Sequence, residues 1–130
     1  MPIDCSVDRV RKIISTTCRG KITRQEFFDH QRVNGSDESL FGFDEILDTR
    51  EADFSEFDHL ALQSIAQVTG QLPAIDSNAV LAVLVSEGNT KIIVELYQMV
   101  EKVVNGSGRE IQFFQRPDEA YSWVEKYHGR

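Results

Sequence analysis

Apolar and polar positions along the chain change period several times, and each change marks an element. Ile3, Cys5 and Val7 alternate with Asp4, Ser6 and Asp8, the pattern of a half-buried strand. Val10–Cys18 is rich in β-branched residues and stops at the turn signal Arg19-Gly20, so it reads as a second strand paired to the first through a turn at Asp8-Arg9. Thr23-Arg24-Gln25-Glu26 is a capping box, and Phe27, Phe28 and Val33 supply the core face of a short helix that ends at Asn34-Gly35. Phe43–Asp48 is a third strand, in which the adjacent Ile46 and Leu47 ask for cover on both faces. Ser55 is placed to cap the next helix, with Asp58 in its first turn. Phe57, Leu60, Ala61, Ser64, Ile65 and Val68 make its stripe, and Gly70 and Pro73 close it. Ala79–Val85 is apolar without alternation, as a central strand covered on both faces requires. Ile92, Ile93, Leu96, Tyr97, Val100, Val103 and Val104 recur at helical spacing before Asn105-Gly106. Glu110–Phe114 is the last strand. Pro117 opens the last helix, packed through Ala120, Trp123, Val124 and Tyr127. The order β-β-α-β-α-β-α-β-α predicts a single α/β domain over residues 1–130, with a mixed, mostly parallel sheet and helices packed around it.

Composition narrows the function classes. A net charge of −7 repels phosphate backbones, and the basic residues are dispersed, so nucleic acid is not an expected partner. No apolar run approaches the roughly 20 residues of a membrane span, and Met1-Pro2-Ile3-Asp4 lacks the features of a secretion signal. A cytoplasmic protein is the expectation. Two cysteines are too few for a disulfide framework. In the hairpin read above, Cys5 falls opposite about Lys12 and Cys18 lies several residues beyond, so both are expected as free thiols. No further Cys or His stands at ligand spacing, so neither zinc nor another cofactor is expected.

Three stretches resemble the STAS domains of bacterial anti-sigma-factor antagonists, and most of all their divergent SpoIIAA-like (STAS/SEC14-like) branch. They are Gly20-Lys21-Ile22-Thr23 before the first helix, Ile46-Leu47-Asp48-Thr49-Arg50 at a strand end, and Arg109–Phe114 followed by Glu119-Ala120-Tyr121-Ser122-Trp123-Val124. The resemblance runs nearly end to end and implies a regulatory fold that works by docking. Phosphorylatable members carry an Asp-Ser-Ser-Gly-type step at the second helix. This chain has Ala52-Asp53-Phe54-Ser55-Glu56-Phe57 there, with a single Ser and no Gly.

Ligands of open α/β sheets gather outside the carboxyl ends of the strands. Three loops are expected there: Asp48-Thr49-Arg50, Ser86-Glu87-Gly88-Asn89 and Gln115-Arg116. Arg50 and Arg116 would add positive charge for an anion or an acidic peptide. Alternatively, Asp48 and Arg50 serve only to shape their turn. Ser55 is a candidate phosphoacceptor or merely a helix cap, and its acidic neighbours Asp53, Glu56 and Asp58 disfavour a phosphate. His30, His59 and His128 are far apart and read as surface residues, and no nucleophile, phosphate-loop or dinucleotide motif occurs. Phe41, Phe43 and Phe54 fall at element edges and could mark a homodimer face. The expected function is therefore a non-enzymatic module with a protein partner. The alternative is a carrier of a lipid or anionic metabolite, held in a cavity between the sheet and the Ile92–Val104 helix. An enzyme ranks third.

Overall fold

The computed structural model describes residues 2–58, 60, 61, 63–65, 67, 79–88, 90–104 and 110–127. Five strands, β1 (Ile3–Asp8), β2 (Ile13–Lys21), β3 (Asp44–Asp53), β4 (Val80–Leu84) and β5 (Glu110–Phe114), form one sheet in the order β1-β2-β3-β4-β5. β1 runs antiparallel to β2 and every later pair is parallel. The helices are α1 (Arg24–Ser36), α2 (described at 60, 61, 63–65 and 67), α3 (Thr90–Val104) and α4 (Pro117–Tyr127), with a 3-10 turn at Glu38–Leu40.

Strand order follows chain order, so each parallel crossover steps the same way. Right-handed crossovers then place α1, α2 and α3 on one face, and α4, which follows β5, is free to return over the other. The core divides accordingly. Cys18, Phe27, Leu47, Leu81, Val83, Ile93 and Leu96 pack on the three-helix face, whereas Ile13, Ile46, Val80, Ala82 and Leu84 meet Ala120 and Val124 of α4. β4 sends alternate residues to each cluster and is buried throughout, which is why its sequence shows no alternation. Ile46 and Leu47 likewise point to opposite layers.

Local chemistry explains where elements begin. Thr23 Oγ1 accepts from Glu26 N–H and the Glu26 carboxylate accepts from Thr23 N–H, closing the expected box at 3.1 and 3.0 Å. α1 runs past Asn34-Gly35 to Ser36 and hands over to Asp37, whose carboxylate caps the 3-10 turn through Ser39. Pro117 is the first residue of α4, as its fixed φ favours.

Several expectations are corrected. The first turn is longer than Asp8-Arg9, because Asp8 Oδ1 accepts from the N–H groups of Val10 and Arg11 and Lys12 takes a left-handed φ of 59°. β2 therefore starts at Ile13. Cys5 pairs with Thr16 rather than Lys12, and Cys18 lies opposite Ile3. The cysteines remain free thiols, Cys5 exposed and Cys18 buried. Arg19-Gly20 does not end β2. Gly20 adopts φ +68°, open to glycine without strain, and the strand continues beside β3 to Lys21. Val33 and Leu60, placed in core stripes by spacing, are 62% and 70% exposed.

Candidate functional site

The extension of β2 and β3 moves the rim of the sheet. Between Thr17 and Arg19 the pairing advances two residues on β2 but three on β3, so β3 carries one extra residue at Thr49–Arg50. β3 then runs five residues beyond Asp48, or roughly 16 Å at strand rise, to Asp53. Asp48, Thr49 and Arg50 consequently lie within the strand and not in a loop. Thr49 is buried and donates to the Leu84 carbonyl at 2.7 Å, tying β3 to the end of β4. Asp48 accepts from the backbone N–H of Arg50 and, at 3.0 and 2.8 Å, from two nitrogens of its guanidinium. Burial pushes the Asp48 carboxyl up, but these bonds and the Arg50 and Arg19 charges outweigh it and hold it below the usual range. Arg116 pairs with Asp118 at 3.3 Å. Both arginines named as anion ligands are thus engaged by neighbouring carboxylates.

A groove of about 720 Å³ opens where β3 ends and α3 begins. Ala52, Phe54, Phe57 and Ile92 supply its apolar lining, and Asp53, Ser55, Ser86, Gly88, Lys91 and Glu95 its polar part. Phe54 and Phe57 are held by edge-to-face contacts with each other and with Phe27, at centroid separations of 5.0 to 5.9 Å, so the floor is rigid. Phe54 is accordingly core and not an exposed edge. Asp53 accepts from Ser55 N–H at 2.8 Å, and this bond, followed by that of the Ser55 hydroxyl, holds its carboxyl low. Ser55 is therefore in a turn and does not cap α2. That role falls to Asp58, whose Oδ1 accepts from Ala61 N–H at 2.8 Å. The exposed Glu56 and Glu87 flank the segments that line the groove. With Asp53 and Glu95 they outnumber Lys91 and Lys21, whose charge acts on Asp53, so the rim is acidic.

Of the residues singled out from sequence, Ser55, Ser86 and Gly88 line this groove and Glu87 stands beside it. Asp48, Thr49, Arg50 and Arg116 do not line it, and Asn89 lies outside the described residues. Sequence reasoning did not name Ala52, Asp53, Phe57, Lys91 or Glu95 as site residues, whereas it offered Phe54 for a homodimer face and the helix from Ile92 for a ligand cavity. The available signal was the alternation of Glu51, Ala52, Asp53 and Phe54, which prolongs β3. The consecutive strand order also contains no reversal, and so no crevice between oppositely directed crossovers. Beneath α3, Leu81, Val83, Val85, Ile93 and Leu96 are all buried.

A second polar cluster lies inside the three-helix layer. Glu45 is buried, accepts from Thr16 Oγ1 at 3.0 Å and stands 3.6 Å from His30 Nε2. His30 is thus an interior residue, not a surface one, because β3 brings a carboxylate beneath α1. His59 and His128 lie outside the described residues. Burial, and then the charges of Glu45 and Asp48, push the Cys18 thiol up to about 12, which leaves almost no thiolate at neutral pH. Among the described residues no three His, Cys, Asp or Glu side chains are grouped to hold a metal ion, and no helix is long and apolar enough to cross a membrane.

Comparison with known proteins found no matching family model, no matching curated protein and no matching solved structure.

Proposed function

We propose that this chain is a non-enzymatic protein-interaction module of STAS-like type, and that the groove between the end of β3 and the start of α3 receives a segment of its partner. The carrying observation is the groove itself, with a rigid apolar floor under an acidic rim and no histidine or cysteine among the described residues of its lining. It lies open along one side, which suits a length of chain better than a carried apolar molecule, whose surface is ordinarily 70–90% buried. The segment it fits presents a branched aliphatic side chain to Phe54, Phe57 and Ile92, with basic residues beside it for Asp53, Glu87 and Glu95. The overall charge of −7 favours a basic partner at long range as well.

Selection of a random peptide-display library on the wild-type chain tests this reading. Selected peptides should pair lysine or arginine with Val, Ile or Leu. Their binding should fall at least about tenfold on Asp53→Lys, an exposed change, and on Ile92→Asp. Binding that both variants retain, or a selection without basic residues, refutes it.

The groove volume also lies within the range of small-molecule sites. This keeps a second reading, a lipid or anionic metabolite with its charge at Lys91. Native mass spectrometry of the chain purified from its own cells, showing a retained mass that Lys91→Glu loses, would favour it.

A further inference from the structure

The turn between β1 and β2 is chemically the reverse of the groove. Val10 at its tip is 94% exposed, more than any other large apolar side chain among the described residues. Arg9 and Lys12 flank it, and neither is held in an ion pair among the described residues. The tip is also built to keep its shape. Asp8 Oδ1 fixes the N–H groups of Val10 and Arg11 at 3.1 and 3.0 Å. Arg11 pairs with Glu125 and lies 6.0 Å over the Tyr121 ring, which anchors the root of the turn to α4. An aliphatic side chain on a braced backbone is thus presented beside two cations that hold no ion pair among the described residues, the charge of Arg9 acting on Asp37 as well, on a protein whose net charge is −7.

We infer that the Arg9–Lys12 tip of one copy seats in the groove of a second copy, with Val10 against Phe54, Phe57 and Ile92 and with Arg9 and Lys12 facing the acidic rim. This inference rests on the reading of the groove as a docking site and names its occupant. The tip stands where the parallel strands begin and the groove where β3 and β4 end. Tip and groove of one copy therefore point in opposite directions. One tip-in-groove contact leaves a free tip and a free groove, so copies can add head to tail, and the assembly closes only where the rotation brings the last tip to the first groove. A contact centred on one valine and two exposed cations is small, so association is weak and weakens further with salt.

Sedimentation velocity on the full chain, from about 10 µM to about 1 mM at low salt, tests the inference. The mean mass of the wild type should rise with concentration, and added salt should reverse the rise. Val10→Asp breaks the tip and Asp53→Lys breaks the groove. Both sites are exposed, and each variant alone should lose at least about tenfold in association constant. An equimolar mixture of the two should form a 1:1 dimer and nothing larger, because it contains one intact tip and one intact groove per pair. A wild type that stays monomeric, a dimer plateau that survives Asp53→Lys, or a mixture that fails to associate each overturns the inference. If selected basic peptides still bind in those cases and lose affinity on Asp53→Lys, the docking reading stands and only the assignment of the occupant falls. If they do not, both fall.

Discussion

Three helices coat one face of the sheet and a single helix coats the other, and the two coats are made of different side chains. On the first face the rings of Phe27, Phe54 and Phe57 interlock beside Leu47, Leu81, Ile93 and Leu96. On the second, Val80, Ala82 and Leu84 meet Ala120 and Val124, and the rings of Phe114, Tyr121 and Trp123 stay at the margin. Small residues on both sides of a contact let backbones approach, whereas large ones hold them apart. Ala82 and Ala120 in one buried cluster leave room for α4 to pack closely on β4. The bulkier coat encloses the larger buried apolar cluster among the described residues, and a gap opens at its edge, where the end of β3 parts from α3. That gap is the groove between the Phe54 turn and α3. The face with the larger apolar cluster thus also carries the candidate site.

The contrast should appear first in stability. Phe27→Ala removes a ring that touches two others in a buried cluster and should cost about 3–5 kcal/mol. Val124→Ala on the α4 face removes two methyl groups from a fully buried site and should cost about 2 kcal/mol. Urea unfolding of both variants measures the difference. Equal losses would mean that the two coats share the load evenly.

A buried polar cluster distinguishes the faces in a second way. His30 and Thr16 meet the carboxylate of Glu45 inside the three-helix layer. On the α4 side the corresponding contact is a half-buried hydroxyl pair, Ser15 with Tyr121 at 2.8 Å. His30→Leu takes a partner from a buried carboxylate and should cost about 2 kcal/mol. Ser15→Ala leaves Tyr121 within reach of water and should cost less than about 1 kcal/mol. If the ranking of the urea midpoints is reversed, Glu45 does not depend on His30.

These features differ in how far the sequence announces them. The unalternating β4, the capping box of Thr23 and Glu26, and Pro117 at the head of α4 each follow from chemistry within a few residues, and each is found where the pattern puts it. The faces assigned to Val33 and Leu60 fail because helical period gives a stripe but not what lies opposite it. The end of β3 is marked in sequence only by the short alternation of Glu51, Ala52, Asp53 and Phe54, for a related reason. Glu51 and Asp53 are polar, and they remain in the strand because Arg19 and Lys21 continue alongside, a partner some thirty residues away. The interior place of His30 depends on Glu45 in the same way. Ser55 had the right type for a helix cap, but Asp58 took the position and Asp53 took the Ser55 N–H. The groove rests on the prolonged β3 and on this local exchange, so of its lining only Ser55, Ser86 and Gly88 were named as site residues.

The smallest effect concerns the end of the α4 face where Asp48 lies, by alternation, on the side of Ile46. Among the described residues its ion-pair partner is Arg50 from the same strand, and the Arg19 charge on β2 also acts on it. The folded carboxyl lies below its ordinary value of 3.8, with the Arg50 bonds overcoming the effect of burial. A group depressed in this way contributes stability above the unfolded value and loses it as pH falls toward the folded one. Asp48→Asn keeps the shape and removes the charge. The variant should therefore be less stable than the wild type near neutrality, by less than about 1 kcal/mol because the pair is partly solvated. The gap should close as the pH drops below 3.8. Urea midpoints measured between neutral and strongly acid pH trace the difference. A gap that persists undiminished in acid would mean that Asp48 matters for the shape of the bulge and not for its charge, and the clasp with Arg50 would then be a consequence of the extra residue in β3 instead of its support.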